Sequence, residues 1–193
     1  VASKKLYVNR EEGFIGTSMR KDEFVCDCSD IDDIIVFRKD AVMQVIKVDN
    51  KVFVGKDIIH CAVFKKKDDR TIYNLIYKDG ASNITLMKRF SVTSITRSRE
   101  YRLTKSDKGS KVLYFTANPN GEAEIVTINL RKLQKLKTLK IDIDFADLTI
   151  KGKGAKGNIV TKNPVRIVEL KSTGVSTLSA RKIWFDDNVQ RIN

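Results

Sequence analysis

Residues 74–90 read NLIYKDGASNITLMKRF, two stretches rich in β-branched, aromatic and other apolar residues around a polar turn that contains Gly80. Period-two alternation on either side of turn-forming residues is the pattern of a strand, a tight turn and a second strand. The same unit occurs upstream as IIVFRKDAVMQVIKV (34–48) and LYVNREEGFIGTS (6–18), and downstream as VLYFTANPNGEAEIVTI (112–128). Two weaker copies are LTIKGKGAKGNIVTK (148–162) and IWFDDNVQRIN (183–193). Their turns centre on Gly13, Ala41, Gly80, Gly121, Gly157 and Asn188, on average about 35 residues apart. Glycine or asparagine suits a tight turn that needs positive φ. Ala41 departs from that rule, so its turn is expected to use another geometry or to carry strain.

A lone two-stranded hairpin is marginal in water, so the units must pack on one another. Further apolar stretches lie between them, at Glu23–Cys28, Ile58–Lys65 and Val165–Leu170. About four strands per unit, repeated around an axis, is the organisation of a propeller or pinwheel. The expected fold is therefore all-β, a β-pinwheel of four-stranded antiparallel blades in one domain over residues 1–193, with a β-sandwich as the alternative. Helical signal is scarce. LRKLQKLKTLK (130–140) places Leu130, Leu133 and Leu136 three apart before strict alternation through Ile141, Ile143 and Phe145. It is a short helix or an irregular turn leading into a strand.

Charge gives the first functional clue. Across 193 residues, 37 Lys+Arg against 24 Asp+Glu leave a formal +13 and a sequence pI near 9.7. Such a field attracts polyanions, nucleic acid foremost, although an anionic membrane surface or an acidic protein answers to it too. No stretch approaches the roughly 20 apolar residues that span a bilayer, and the N-terminus lacks a signal-peptide layout. The expected setting is the cytoplasm, in association with the nucleoid. A start at Val1 without methionine and an end at Asn193 within a strand pattern suggest a piece of a longer protein.

Catalytic constellations are missing: one histidine, no GxxxxGK[ST], no GxSxG and no HExxH. The run SDIDD, with Asp30, Asp32 and Asp33, is expected to be an acidic turn rather than a Mg²⁺ site. Asp142 and Asp144 alternate with Ile141 and Ile143 and should face outward. Cys26, Cys28 and Cys61 with His60 could in principle form a zinc set, but Phe24, Cys26 and Cys28 alternate as one strand face, so buried small hydrophobes are expected.

The basic residues are better organised. Lys88 and Arg89 follow the turn of residues 78–83, Arg97 and Arg99 come soon after, and Arg131, Lys132, Lys135, Lys137 and Lys140 fill ten residues without an acid. In KGKGAKGN, Lys151, Lys153 and Lys156 are interleaved with Gly152, Gly154 and Gly157, a loop whose amides and ammonium groups can both approach phosphates. From Lys151 to Asn193 nine basic residues, including Lys162 and Arg166, face three acids. Similar basic turns along one rim would form a positive track for duplex DNA, gripped through phosphates without reading sequence. The aromatics Tyr114, Phe115, Trp184 and Phe185 lie within apolar strands and are expected in the core, which favours duplex over single strands.

The strand-turn-strand units followed by basic segments resemble the blades of the C-terminal domains of bacterial DNA gyrase and topoisomerase IV A subunits. KVLYFTANPNGEAEIVTINLRKLQKLKTLKIDIDFADLTIKGKGAKGNIVTKNPVR (111–166) is especially similar to the A subunits of Bacteroidetes-type topoisomerase IV, and the similarity extends over nearly the whole chain. The resemblance implies a β-pinwheel with a basic perimeter that binds and bends DNA, carrying Lys88, Arg89, Lys151, Lys153, Lys156, Lys162 and Arg166. The gyrase signature QRRGGKG is absent and KGKGAKG only echoes it, which favours the topoisomerase IV type over chiral wrapping. It further implies no catalysis and no cofactor in this segment: ATP and Mg²⁺ would act on other domains or subunits of an ATP-dependent topoisomerase. This segment would be joined to the rest of its A subunit, which assembles with the ATPase B subunit in an A2B2 tetramer. A propeller that binds an acidic protein is the competing reading.

Overall fold

Four β-hairpins organise the described residues. A computed structural model describes residues 3–176 and 178, so the sixth repeat, with Trp184, Phe185 and Asn188, lies outside the described residues. The hairpins are β1 (Lys4–Asn9) with β2 (Phe14–Gly16), β4 (Asp33–Arg38) with β5 (Val42–Lys47), β8 (Ile72–Lys78) with β9 (Thr85–Ser91), and β12 (Glu122–Leu130) with β13 (Lys140–Asp144). Each founds its own sheet, and a hairpin leaves two open edges. The first strand's edge is closed by a later strand of the same unit: β3 (Glu23–Cys28) on β1, β7 (Ile58–Phe64) on β4, β11 (Lys111–Asn118) on β8 and β16 (Val165–Ser176) on β12.

In the first three hairpins the second strand's edge is closed by a strand that crosses back from the following unit. β6 (Val52–Phe53) covers β2, and β10 (Tyr101–Arg102) covers β5. On β9 two short strands share the work: β15 (Asn158–Thr161), antiparallel, and β14 (Ile150–Gly152), the one parallel pairing among the described residues. The sheets accordingly hold four, four, five and three strands. This exchange matches the all-β expectation and is consistent with a pinwheel, while the series of four sheets sets it apart from a two-sheet sandwich.

Two of the expected hairpins are something else. The turn at Gly121, where the Gly121 amide donates to the Asn118 carbonyl (3.1 Å), joins β11 in the third sheet to β12 in the fourth. The hairpin of that unit closes instead through residues 131–139, which are irregular, with one turn from the Leu136 amide to the Leu133 carbonyl. In LTIKGKGAKGNIVTK the two strands pair with β9 and not with each other, leaving residues 153–157 as a projecting loop.

Sheet faces alternate in partner. Ile34 and Val36 of β4 pack with Leu6, Val8 and Ile15 of the first sheet, whereas Ile35 and Phe37 pack with Leu75, Tyr77 and Phe90 of the third. Ile76 turns the other way, toward Val126, Ile128 and Phe145 of the fourth unit. The second and third sheets are thus covered on both faces, which is why DIIVFR and IYNLIYK are nearly continuous apolar runs. Outer faces are different: Phe24 and Phe53 on the first sheet are 50% and 59% exposed. No apolar cluster among the described residues joins the first sheet to the fourth, so the sheets stack in series without closing a ring.

Ala41 adopts φ 64° while almost fully buried, so its turn carries the expected left-handed strain. At the first turn Gly13 has φ +85°, and a Cβ there would lie 2.2 Å from the Gly55 carbonyl oxygen. That contact seats the turn against the segment after β6, where the Val54 amide donates to the Gly13 carbonyl (2.8 Å). Gly13→Ala is expected to lower unfolding stability by about 2–4 kcal/mol, since it adds backbone strain to a backbone clash. Urea denaturation checks this; an unchanged midpoint would mean that the turn relaxes without cost.

Candidate nucleic-acid interface

β10 and β14 bring one group of predicted cations together. Lys151 is exposed at β14, and the loop that follows projects beside β10. Lys153 donates from Nζ to the Ser94 carbonyl (2.7 Å), and its ammonium lies 4.8 Å from the centre of the Tyr101 ring. The Arg99 guanidinium lies 5.2 Å from the same ring. The Tyr101 hydroxyl in turn accepts from the Thr96 amide (2.7 Å), fixing the ring that carries both cations. Arg97 is close in sequence but is paired with Asp33 (3.1 Å). Lys156 is exposed, and its carbonyl accepts from the Tyr77 hydroxyl.

A second group gathers at the open end of the fourth hairpin. Arg131, Lys132 and Lys135 are exposed on the 131–139 connection. The Arg131 amide donates to the Pro164 carbonyl (2.9 Å), which brings this connection to the segment where Lys162 and Arg166, both exposed, flank Pro164. Sequence distance hid that meeting.

Lys88 and Arg89 do not lie on a perimeter. β9 has strands on both edges and sheets on both faces, so the two residues are 1% and 2% exposed. Lys88 directs Nζ at three carbonyl oxygens, those of Leu103 (2.6 Å), Lys153 (2.7 Å) and Ala155 (2.7 Å). Arg89 donates from Nε to Asn74 Oδ1 (3.0 Å) and from Nη2 to the Gly121 carbonyl (2.8 Å). Asn74 passes the link on, donating to the Glu124 carboxylate and to the Glu122 carbonyl (3.1 Å). Burial pulls Arg89 below its ordinary value, and the charges of Glu124 and Asp144 oppose that shift. Both cations are fully satisfied inside, where no phosphate reaches them.

Ion pairs are unevenly distributed. Lys4–Asp30, Lys5–Asp27, Arg10–Glu23, and Arg38 with Asp40 and Glu100 pair four cations of the first two sheets, while Arg20, Lys21, Lys39, Lys47, Lys51 and Lys56 there are exposed without an ion pair. Among the described residues only Lys171–Asp142 does so on the fourth sheet, and none of Arg99, Arg131, Lys132, Lys135, Lys151, Lys153, Lys156, Lys162 or Arg166 forms an ion pair. Sequence reasoning overlooked Lys105, which lines with Lys156 a cleft of about 380 Å³ that also contains Asp79 and Ser106. It also overlooked the exposed Lys65–Lys67 between β7 and β8. Both stand in mixed-sign loops, where single lysines give little signal.

The acids and cysteines have structural surroundings. The Ser29 amide donates to Asp32 Oδ2 (2.8 Å), Asp30 pairs with Lys4 (3.4 Å) and Asp33 with Arg97, so SDIDD is a turn with ion pairs. Asp142 is exposed as expected, while Asp144 caps the 3₁₀ turn at Phe145–Asp147. Burial pushes the Cys61 thiol up to about 11 and His60 down to about 4, the latter helped by Arg10. No three potential metal ligands come together among the described residues. Phe24 does not share a face with Cys26 and Cys28, because the pairing register shifts between Leu6 and Tyr7. No helix among the described residues is long and apolar enough to cross a membrane.

Residues 5–173 match the family model described as topoisomerase C-terminal domain, Bacteroidota. The A subunit of DNA topoisomerase 4 from Borreliella burgdorferi is 26% identical over 169 residues, which cover 86% of this chain and 25% of that relative. The chain therefore spans about a quarter of the length of the curated relative that it matches.

Replacing the interior cation gives a direct test of its structural role. Arg89→Met leaves Asn74 and Glu124 buried without their partner and is expected to cost about 3 kcal/mol. Urea unfolding measures it, and a loss below about 0.5 kcal/mol, the range of surface substitutions, would contradict the assignment.

Proposed function

Because this chain belongs to the family of topoisomerase C-terminal domains of Bacteroidota, we propose that it is a non-catalytic DNA-holding module from the A subunit of a topoisomerase IV. It binds duplex DNA through phosphates, without sequence specificity, and presents the segment to a catalytic core elsewhere in the parent protein. The observation that carries this reading is the gathering of nine exposed or half-exposed cations without carboxylate partners into two groups, Arg99 with Lys151, Lys153 and Lys156 beside β10, and Arg131, Lys132, Lys135, Lys162 and Arg166 at the open end of the fourth hairpin. Cations left unneutralised by their own chain are those free to replace the counterions of a polyanion.

The glycines of the projecting loop support the same reading. A Cβ at Gly152 or Gly154 would meet nothing within 4 Å, and neither residue has a left-handed φ. Fold geometry does not demand glycine at either position. A bare backbone allows close approach by a ligand from solvent, as phosphate-binding loops require. The remainder of the proposal concerns the longer protein: ATP and Mg²⁺ act on other domains or subunits, the A subunit pairs with an ATPase B subunit in an A2B2 tetramer, and the assembly works in the cytoplasm on the nucleoid.

Fluorescence anisotropy with a labelled duplex across a salt series tests the proposal. Affinity is expected to fall linearly on logarithmic axes, and changing Lys151, Lys153 and Lys156 together to Ala should flatten the slope by up to about 2.7, at roughly 0.9 per lost phosphate contact. No retention of DNA at low salt would defeat the reading and leave an acidic protein as the partner to seek.

A further inference from the structure

Lys88 is an unusual place for a charge. It is 1% exposed, lies 5.0 Å from the centre of the Phe90 ring, and has no carboxylate among its partners. What it has is three carbonyl oxygens at 2.6–2.7 Å, two of them from the loop that carries Lys153 and Lys156. With the Tyr77 hydroxyl on the Lys156 carbonyl, the loop turns the carbonyls of residues 153, 155 and 156 inward. Those oxygens are the loop's negative dipole ends. Withdrawing them leaves the outer face to ammonium groups and glycine backbone.

The stoichiometry of hydrogen bonding matters. An ammonium has three N–H groups, one for each carbonyl, whereas a neutral amine has two and would leave one oxygen buried without a donor. Loop anchorage therefore depends on whether Lys88 holds its proton. We propose that Lys88 is the buried positioning residue of a phosphate-binding loop at residues 151–157, and that duplex DNA bound there and the proton on Lys88 reinforce one another. The proposal rests on the DNA reading above and adds a regulation to it.

The electrostatic surroundings fit this coupling. Desolvation pushes Lys88 down to about 7, and the charge of Lys105 adds to the shift. Lys153 and Lys156 lie on the loop itself, Lys151 and Asp147 line the small cleft beside Lys88, and Tyr77 faces the loop from β8. Asp147 and Asp79, the latter beside Lys156 and Lys105, are the acids among these groups, the other charged ones are cations, and phosphate charge arriving on the outer side favours the protonated amine. By linkage, affinity is highest where Lys88 is protonated in the free chain, falls as pH rises through its free-chain value, and levels off above its DNA-bound value. His60, held near 4, does not titrate in that window.

Duplex affinity of the full chain should be measured at constant ionic strength between pH 6 and 9, for wild type and for Lys88→Met. A one-unit rise in the proton affinity of Lys88 on binding corresponds to a roughly tenfold fall in DNA affinity across that range. Lys88→Met is expected to bind more weakly, with a flat pH profile and an unchanged salt slope, because no phosphate-contacting group is lost. A wild-type pH profile that is already flat, or a pH dependence that survives in Lys88→Met, overturns the coupling while leaving the DNA reading intact. Absence of wild-type binding at every pH overturns both. If Lys88→Met fails to fold, NMR titration of ¹³Cε-labelled lysines in the wild type replaces it. The Lys88 midpoint must then lie near neutrality and rise by about one unit with DNA, and an unmoved midpoint sinks the proposal.

Discussion

The outer edge of each hairpin's second strand is the constraint from which the architecture follows. Left open, it would expose a row of unpaired amides and carbonyls, and an open edge invites pairing with another chain. In the first three hairpins the next unit closes it, through β6, β10, and β14 with β15. Because every closure runs backward by one unit, the sheets are laced in chain order. Their faces then meet in the same order, which is why Ile34 and Ile35, adjacent in sequence, belong to different cores. The lacing strands are two to four residues long, and the segments beside them are driven to the surface. Positive loops at these crossings, Arg97–Arg99 before β10 and Lys153–Gly157 between β14 and β15, are a consequence of topology before they are a feature of function.

Interfaces between sheets differ in chemistry. The second and third sheets meet through Phe37, Tyr73, Phe90 and Phe115, whose ring centres lie 4.7–6.4 Å apart, a contact that is apolar and tolerant of small slides. Between the third and fourth, Arg89, Asn74 and Glu124 form a polar chain that ends on the Gly121 and Glu122 carbonyls at the crossover turn. Desolvating those groups consumes much of the energy that they return, so the chain contributes less to net stability than to register. A slide of one residue would leave a buried guanidinium or carboxylate unmatched. Apolar contacts supply most of the cohesion, and this chain fixes where the third and fourth sheets meet.

How much of this was legible follows from what alternation encodes. A period of two states that a segment is a strand and which residues share a face, and it is silent on the partner. The first three hairpins were readable because their strands pair across their own short turns. VLYFTANPNGEAEIVTI carries the same pattern, yet its two strands belong to adjacent sheets, and no local residue distinguishes a hairpin turn from a crossover turn. The basic loop at residues 151–157 was readable because glycine and lysine together leave little to bury. Lys88 and Arg89 were not, since charged residues are seldom fully buried and the default reading is a surface. One sign was present: Lys88 stands two residues from both Leu86 and Phe90, on a face that is otherwise core. A cation inside an apolar alternation is a reason to look for carbonyl partners.

Unpaired cations gathered on neighbouring loops repel one another, and the fold must hold them together against that repulsion. It does so with neutral means: the Tyr101 ring under Arg99 and Lys153, and the Ser94 carbonyl on the Lys153 ammonium. In the first two sheets the same problem is met by carboxylates, as Lys4, Lys5, Arg10 and Arg38 show. Neutralising a cation internally and supporting it with dipoles and rings have opposite consequences for binding. A carboxylate partner would have to be displaced or would repel an incoming phosphate, whereas a ring or a carbonyl stays in place as the phosphate arrives. Around Tyr101 the cations are supported and not paired, so their charge is left for a polyanion.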